Sequence, residues 1–90
     1  MDKTPTANQK RLLSLLGPEY SLKVIDLELC VYRRINATYD IEISGTSYKG
    51  RKIGVYVWRD CVEIVDRVCD IKTDYELITT LNSFVKKYSG

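Results

Sequence analysis

Histidine is absent from the 90 residues of this chain. Its absence removes the commonest general base and the usual partner of cysteine at zinc sites. It also removes every arrangement in which a histidine activates a serine or cysteine nucleophile. Since no other catalytic combination of residue types stands out, we expect a protein that is not an enzyme and that uses no cofactor and no metal.

Cysteine is scarce and odd in number, with Cys30, Cys61 and Cys69 in the whole chain. An odd number of cysteines without regular spacing does not fit the disulfide framework of a small secreted domain. No apolar run approaches the roughly 20 residues that span a membrane, and MDKTPTANQK lacks the apolar centre of a signal peptide. We therefore expect free thiols, a cytoplasmic location and no membrane association.

A large excess of either charge is also missing, because 14 lysines and arginines face 12 aspartates and glutamates, for a net charge of +2. Dedicated nucleic-acid binders usually carry a larger basic excess, so nucleic acid ranks second to protein as the expected partner. The hydrophobic content of 44% is that of a folded domain. We expect a single domain over residues 5–90 behind a disordered N-terminus at residues 1–4.

The hydrophobic patterns predict an α+β fold with the order helix, four-stranded antiparallel meander, helix, and with both helices on one face of the sheet. Thr4-Pro5 resembles a helix start and Gly17 a stop, which predicts a first helix over residues 5–16. A capping box at Thr73 to Glu76 precedes a single apolar face, which predicts the last helix.

Strict alternation of apolar and polar residues over 23–32, 37–44 and 53–58 predicts three strands with odd-numbered side chains facing the helices. Residues 61–69 fit either a helix or a fourth strand. We favour the strand, because a two-residue turn at Arg59-Asp60 would place Val62 opposite Val57 and align the inward faces. The helical interpretation stays open.

Even-numbered side chains should then form the opposite face, where aromatic rings and guanidinium groups gather at one end. Tyrosine, tryptophan and arginine are the residue types enriched among binding hot spots. The residues predicted to bind a partner share this end of the sheet: Tyr32, Tyr56, Trp58, Arg33, Arg34 and Arg59.

These observations favour a small non-enzymatic protein-interaction module, an inhibitor, adaptor or regulator of the kind that phages and mobile elements encode. The aromatic residues would anchor the partner, and the arginines would pair with its acidic groups. One alternative is single-stranded nucleic-acid binding on the same rings. Another is a homodimer through this face, and a third is that the rings merely cover the sheet.

The order helix, strands, helix resembles that of double-stranded-RNA-binding domains at the level of topology. Members of that family open their last helix with a basic cluster, whereas this chain has the acidic stretch Thr73-Asp74-Tyr75-Glu76. The loop from Gly45 to Gly50 has the glycine spacing of a phosphate loop, but it joins two predicted strands and lacks the following helix. Neither feature therefore predicts a phosphate site.

Overall fold

The computed structural model describes residues 4–89, and over these residues the chain forms two helices and one five-stranded antiparallel sheet in which the strands lie in chain order. The elements are α1 (Ala7–Leu16), β1 (Ser21–Ile25), β2 (Glu28–Arg34), β3 (Tyr39–Ser44), β4 (Ile53–Arg59), β5 (Glu63–Ile71) and α2 (Asp74–Tyr88). The α+β class and the antiparallel sheet are confirmed, whereas the sheet has five strands instead of four. Neither described helix has the length and apolar character needed to span a membrane. Residues 1–3 of the predicted disordered terminus lie outside the described range.

The additional strand arises because the predicted first strand is a hairpin that turns at Asp26-Leu27. Both residues have positive φ, 50° and 69°, which is the backbone conformation that tight hairpins require. Leucine rarely adopts it, so the usual glycine or asparagine signal is missing. Ile25 pairs with Glu28 and faces away from the helices, contrary to the inward position predicted for it, and Leu27 is 84% exposed at the tip.

The helix α1 begins two residues later than predicted. Thr6, rather than Thr4, caps it: the Gln9 backbone N–H donates to Thr6 Oγ1 at 3.2 Å, and the Thr6 N–H donates to Gln9 Oε1 at 3.0 Å. This reciprocal pair is a capping box with glutamine at its third position. The chain leaves the helix at Gly17, whose φ of 100° suits glycine.

The core lies on the odd-numbered face of the central strands, as the alternation predicts. Its buried members from β2, β3 and β4 are Val31, Ile41, Ile43, Val55 and Val57. Leu12 from α1 and Leu77, Leu81 and Phe84 from α2 belong to the same cluster. The even-numbered face of these strands is therefore left for other contacts.

Residues 63–71 form a strand, in agreement with the favoured interpretation, but the predicted register is wrong. Arg59 pairs with Glu63, and two irregularities between β4 and β5 bring Val57 opposite Asp66 instead of Val62. The turn between β4 and β5 has positive φ at Asp60 and Cys61, 53° and 60°. Neither residue is glycine, so the sequence does not indicate this turn. The irregularities turn Asp66 towards the end of α2.

Asp66 connects β5 to α2 by accepting hydrogen bonds from Lys87 Nζ and Tyr88 Oη, each at 2.9 Å. The bond from Lys87, aided by Tyr88 and opposed by partial burial, lowers the pKa of the Asp66 carboxyl. The stabilisation is complete above the unfolded pKa of about 3.9 and is lost as the pH falls through the lowered folded value.

We expect Asp66→Asn to lower the free energy of unfolding by about 0.5–1 kcal/mol at neutral pH, after allowing for solvent screening. The difference between the variant and the wild type should shrink as the pH falls below about 4, where the wild-type carboxyl also becomes neutral. Urea unfolding at a series of pH values measures this difference. A gap that stays constant down to the acid range would contradict the assignment.

Candidate functional site

Two neighbouring grooves lie on the face of the sheet that points away from the helical core. The first has a volume of about 270 Å³ and is lined by Lys23, Val24, Ile25, Asp26, Tyr32, Asp40, Trp58 and Cys61. The second, of about 280 Å³, is lined by Ile25, Asp26, Glu28, Glu42, Ser44, Tyr56, Trp58 and Ile64. The β1–β2 hairpin and Trp58 contribute to both. The face is therefore grooved, whereas the alternation alone predicts a flat and open surface.

Trp58 forms a wall common to the two grooves. It projects from β4, with Asp40 of β3 and Ile64 of β5 as its cross-strand neighbours. Its indole Nε1–H donates to Glu42 Oε1 at 2.8 Å, and the side chain is half-buried. The hydrogen bond fixes the ring while leaving part of it open to a ligand, which is the arrangement expected of a binding anchor.

Tyr32 and Asp40 form the floor of the first groove. The Tyr32 hydroxyl donates to Asp40 Oδ2 at 2.6 Å, and the Cys61 thiol approaches the same oxygen at 3.4 Å. Asp40 is only 5% exposed. Burial, followed by the hydrogen bond to Asp40, raises the pKa of Tyr32 to about 12, so the hydroxyl remains a donor at neutral pH. Lys23 Nζ lies 4.5 Å from the centre of the Tyr32 ring.

Tyr56 has a different role from the other two rings. Its side chain lies over Gly54, where an added Cβ would come within 2.8 Å of the Tyr56 hydroxyl oxygen. The hydroxyl is also 3.8 Å from Cys69 Sγ, and this contact is the main cause that raises the pKa of Tyr56. The Tyr56 ring thus covers Gly54, a position of its own strand that has no side chain. Covering the sheet is the structural role considered above for all three rings.

The three arginines predicted to accompany the aromatic residues do not line either groove. Arg33 lies on the opposite face because its number is odd, and its guanidinium lies 5.3 Å from the centre of the Tyr20 ring. Arg34 donates to the backbone oxygens of its own loop, those of Asn36 and Ala37, at 3.0 and 3.2 Å.

Arg59, the third arginine, forms an ion pair with Glu63 across the β4–β5 turn. Arg34 and Arg59 are therefore paired within the chain, and Arg33 lies over Tyr20 while its buried Nε has no hydrogen-bond partner. The three arginines lie outside the two aromatic grooves.

The residues that the sequence prediction missed are mostly acidic. The grooves contain the carboxylates of Asp26, Glu28, Asp40 and Glu42, against the single ammonium of Lys23, which makes four negative charges, one positive charge and a net of −3. The ion pairs found among residues 4–89 involve none of these four carboxylates. Alternation predicts that all four carboxylates lie on the even-numbered face, but it does not show that the β1–β2 hairpin brings Asp26 beside Trp58.

A third groove, of about 280 Å³, has the opposite charge. It lies where the β3–β4 loop meets the first turns of both helices, and its charged residues are Arg11, Lys49, Arg51, Lys72 and Asp74. Four positive charges and one negative charge give a net of +3. Arg11 is paired with Asp74 at 2.8 Å. The small total charge of the chain therefore conceals a strong separation of positive and negative surfaces.

The cysteines differ in their surroundings, with Cys30 buried and Cys61 and Cys69 exposed as free thiols. Burial, reinforced by the negative charges of Glu28 and Glu42, raises the pKa of Cys30 to about 12. The raised pKa leaves far less thiolate at Cys30 than at an ordinary cysteine, and the thiolate is the reactive form.

Iodoacetamide at neutral pH should therefore modify Cys61 and Cys69 and leave Cys30 intact until the chain is unfolded in urea. Mass spectrometry of the peptides measures the three rates separately. Equal rates for Cys30 and Cys69 in the folded protein would show that Cys30 is accessible and that its surroundings are not as described.

No three or more histidine, cysteine, aspartate or glutamate residues are arranged to hold a metal ion in the part of the chain that the structure describes. Comparison of the chain with protein-family models, with curated proteins and with solved structures finds no match in any of the three.

Proposed function

We propose that this protein is a small non-enzymatic interaction module that binds a macromolecular partner, a protein, through the two grooves beside Trp58. The observation that carries the proposal is the position of the indole. It is half-buried, held by Glu42 at 2.8 Å, and common to both grooves. A rigid aromatic side chain at the centre of a concave surface is the usual form of a binding hot spot.

The binding residues are revised from those that the sequence predicted. Trp58 and Tyr32 remain the anchors, since both line the first groove. Tyr56 contributes to the second groove but mainly covers Gly54. Arg33, Arg34 and Arg59 have partners within the chain, so they do not supply the charges that meet the partner. An inhibitor, adaptor or regulator encoded by a phage or mobile element is the role that fits such a module.

Single-stranded nucleic acid on the same rings is disfavoured by charge. Phosphate groups would approach a surface of four carboxylates and one ammonium, whereas nucleic-acid grooves are lined with cations. The same charges oppose a homodimer through this face, because a twofold axis would bring like charges together. A protein partner agrees better with both observations.

Trp58→Ala should abolish capture of the partner while changing the melting temperature little, because the indole is outside the helical core. Wild type and variant are immobilised and exposed to lysate of the native host, and the captured protein is purified and titrated against both. Tyr48→Ala is the matched control, since Tyr48 is a 61% exposed aromatic residue that lines the basic groove and neither of the two grooves beside Trp58.

Equal capture by the wild type and Trp58→Ala would refute the proposal. Loss of folding in Trp58→Ala would place the ring in the core and refute it as well. Quenching of Trp58 fluorescence by an oligonucleotide at low salt would favour the nucleic-acid alternative instead.

A further inference from the structure

We infer that the partner presents a basic segment to these grooves, with a lysine or arginine side chain placed against Trp58 and among the surrounding carboxylates. This inference rests on the proposed function and specifies the chemistry of the same site. It reverses the polarity that the sequence indicated, in which arginines of this chain would have met acidic groups of the partner.

The residues that line the two grooves carry a net negative charge. Asp40 accepts hydrogen bonds from Tyr32 and Cys61, and Glu42 accepts them from Trp58 and Cys30. These donors are neutral, so they orient the carboxylates without cancelling their charge. Four carboxylates brought together around two grooves repel one another, and a partner's cation relieves that repulsion on binding.

Lys23 shows that the first groove already accommodates an ammonium group. Its Nζ lies 4.5 Å from the centre of the Tyr32 ring, within the distance at which a cation is attracted to an aromatic face. Trp58, which lines the same groove, is the aromatic residue that attracts cations most strongly. A lysine or arginine from a partner would find the same combination of ring and carboxylate at the indole.

Carboxylates that line the grooves also act on the buried Cys30 thiol. Glu28, Glu42 and Asp26 all contribute, after burial, to the raised pKa of the Cys30 thiol. Three separate carboxylates therefore act on one buried thiol of β2. A cation bound among these carboxylates would be attracted by the same field.

The test uses blocked synthetic peptides of alternating arginine and glycine, and the same peptides with citrulline, the neutral isostere of arginine. Trp58 is the one tryptophan of the chain, so its fluorescence reports on the site alone. We expect a saturable change with the arginine peptide, a smaller or absent change with the citrulline peptide, and weakening as salt is added.

Variants that replace carboxylates of the grooves with neutral amides test whether charge is needed for binding. Asp26→Asn keeps a residue type that tolerates the positive φ of the turn, and Glu42→Gln keeps an oxygen that can accept from the indole. The double variant should bind the arginine peptide about tenfold more weakly. Lys49→Gln with Lys72→Gln, in the basic groove, should leave the binding of this peptide unchanged or slightly stronger.

The outcomes separate this inference from the proposed function. Equal binding of the arginine and citrulline peptides, or the absence of binding by either, overturns the basic-segment inference. So does host-partner capture that requires Trp58 but is unaffected in the double variant, and in that case the proposed function stands. Capture that persists in Trp58→Ala removes the proposed function itself.

Discussion

Replacing Gly45 with alanine is expected to destabilise the domain by about 3–5 kcal/mol, a large part of the total stability of a chain this short. Gly45 has φ of 75°, and a Cβ at this position would lie 2.4 Å from the backbone carbonyl oxygen of Lys52. Neither group can rotate away, because both belong to the backbone, Gly45 at the start of the β3–β4 connection and Lys52 at its end. The strands on either side would have to separate.

Gly50 in the same loop provides the control. Its φ of 90° is equally unsuited to alanine, but a Cβ there would meet no atom within 4 Å. Gly50→Ala should therefore cost only the backbone strain, about 1–2 kcal/mol. Urea unfolding of the two variants gives the comparison, and equal losses of stability would show that the contact with Lys52 does not constrain the loop.

The second large effect is expected from Gln9→Ala, which should lower the free energy of unfolding by about 3 kcal/mol. Gln9 is 1% exposed, and its amide nitrogen donates to the Leu29 carbonyl at 3.0 Å and to Thr46 Oγ1 at 3.1 Å. Its amide oxygen accepts from the backbone N–H of Thr6. The substitution leaves three buried or half-buried groups without their partner and opens a cavity beside α1.

The neighbouring residue Asn8 separates the buried network from ordinary surface hydrogen bonding. Asn8 Nδ2 also reaches the β3–β4 loop, donating to the Thr46 carbonyl at 2.9 Å, but water can replace its side chain. Asn8→Ala should cost about 1 kcal/mol or less. If thermal and chemical unfolding show the two variants to be equally stable, the buried amide does not tie the helix to the loop as proposed.

Periodicity predicted most of the fold because amphipathic patterns depend on only a few residues at a time. The N-cap at Thr73, whose Oγ1 accepts from the Glu76 backbone N–H, and the alternation of β3 and β4 are such local signals. The hairpin at Asp26-Leu27 and the β4–β5 register escaped prediction because their turns place leucine and cysteine at positive φ. Residue propensities cannot predict a backbone conformation that the residue at that position disfavours.

The candidate site was predictable to the extent that it depends on alternation. Tyr32, Tyr56 and Trp58 lie on the expected face, while Arg33 was assigned to it although its odd number puts it on the other. The concave shape could not be foreseen, because it depends on how the β1–β2 hairpin approaches Trp58. The carboxylates of Glu28, Asp40 and Glu42 follow from alternation, whereas their position around the indole depends on that same approach.

The acidic and basic grooves share no residue, so a molecule with a net charge of only +2 presents separate surfaces of opposite charge. A charged partner within about a screening length, roughly 10 Å at 0.1 M salt, experiences a torque as well as a force, and the torque turns the correct side towards it before contact. Such steering raises the rate of productive encounters and fades with ionic strength, while the lifetime of the docked complex depends mainly on the short-range packing around the indole.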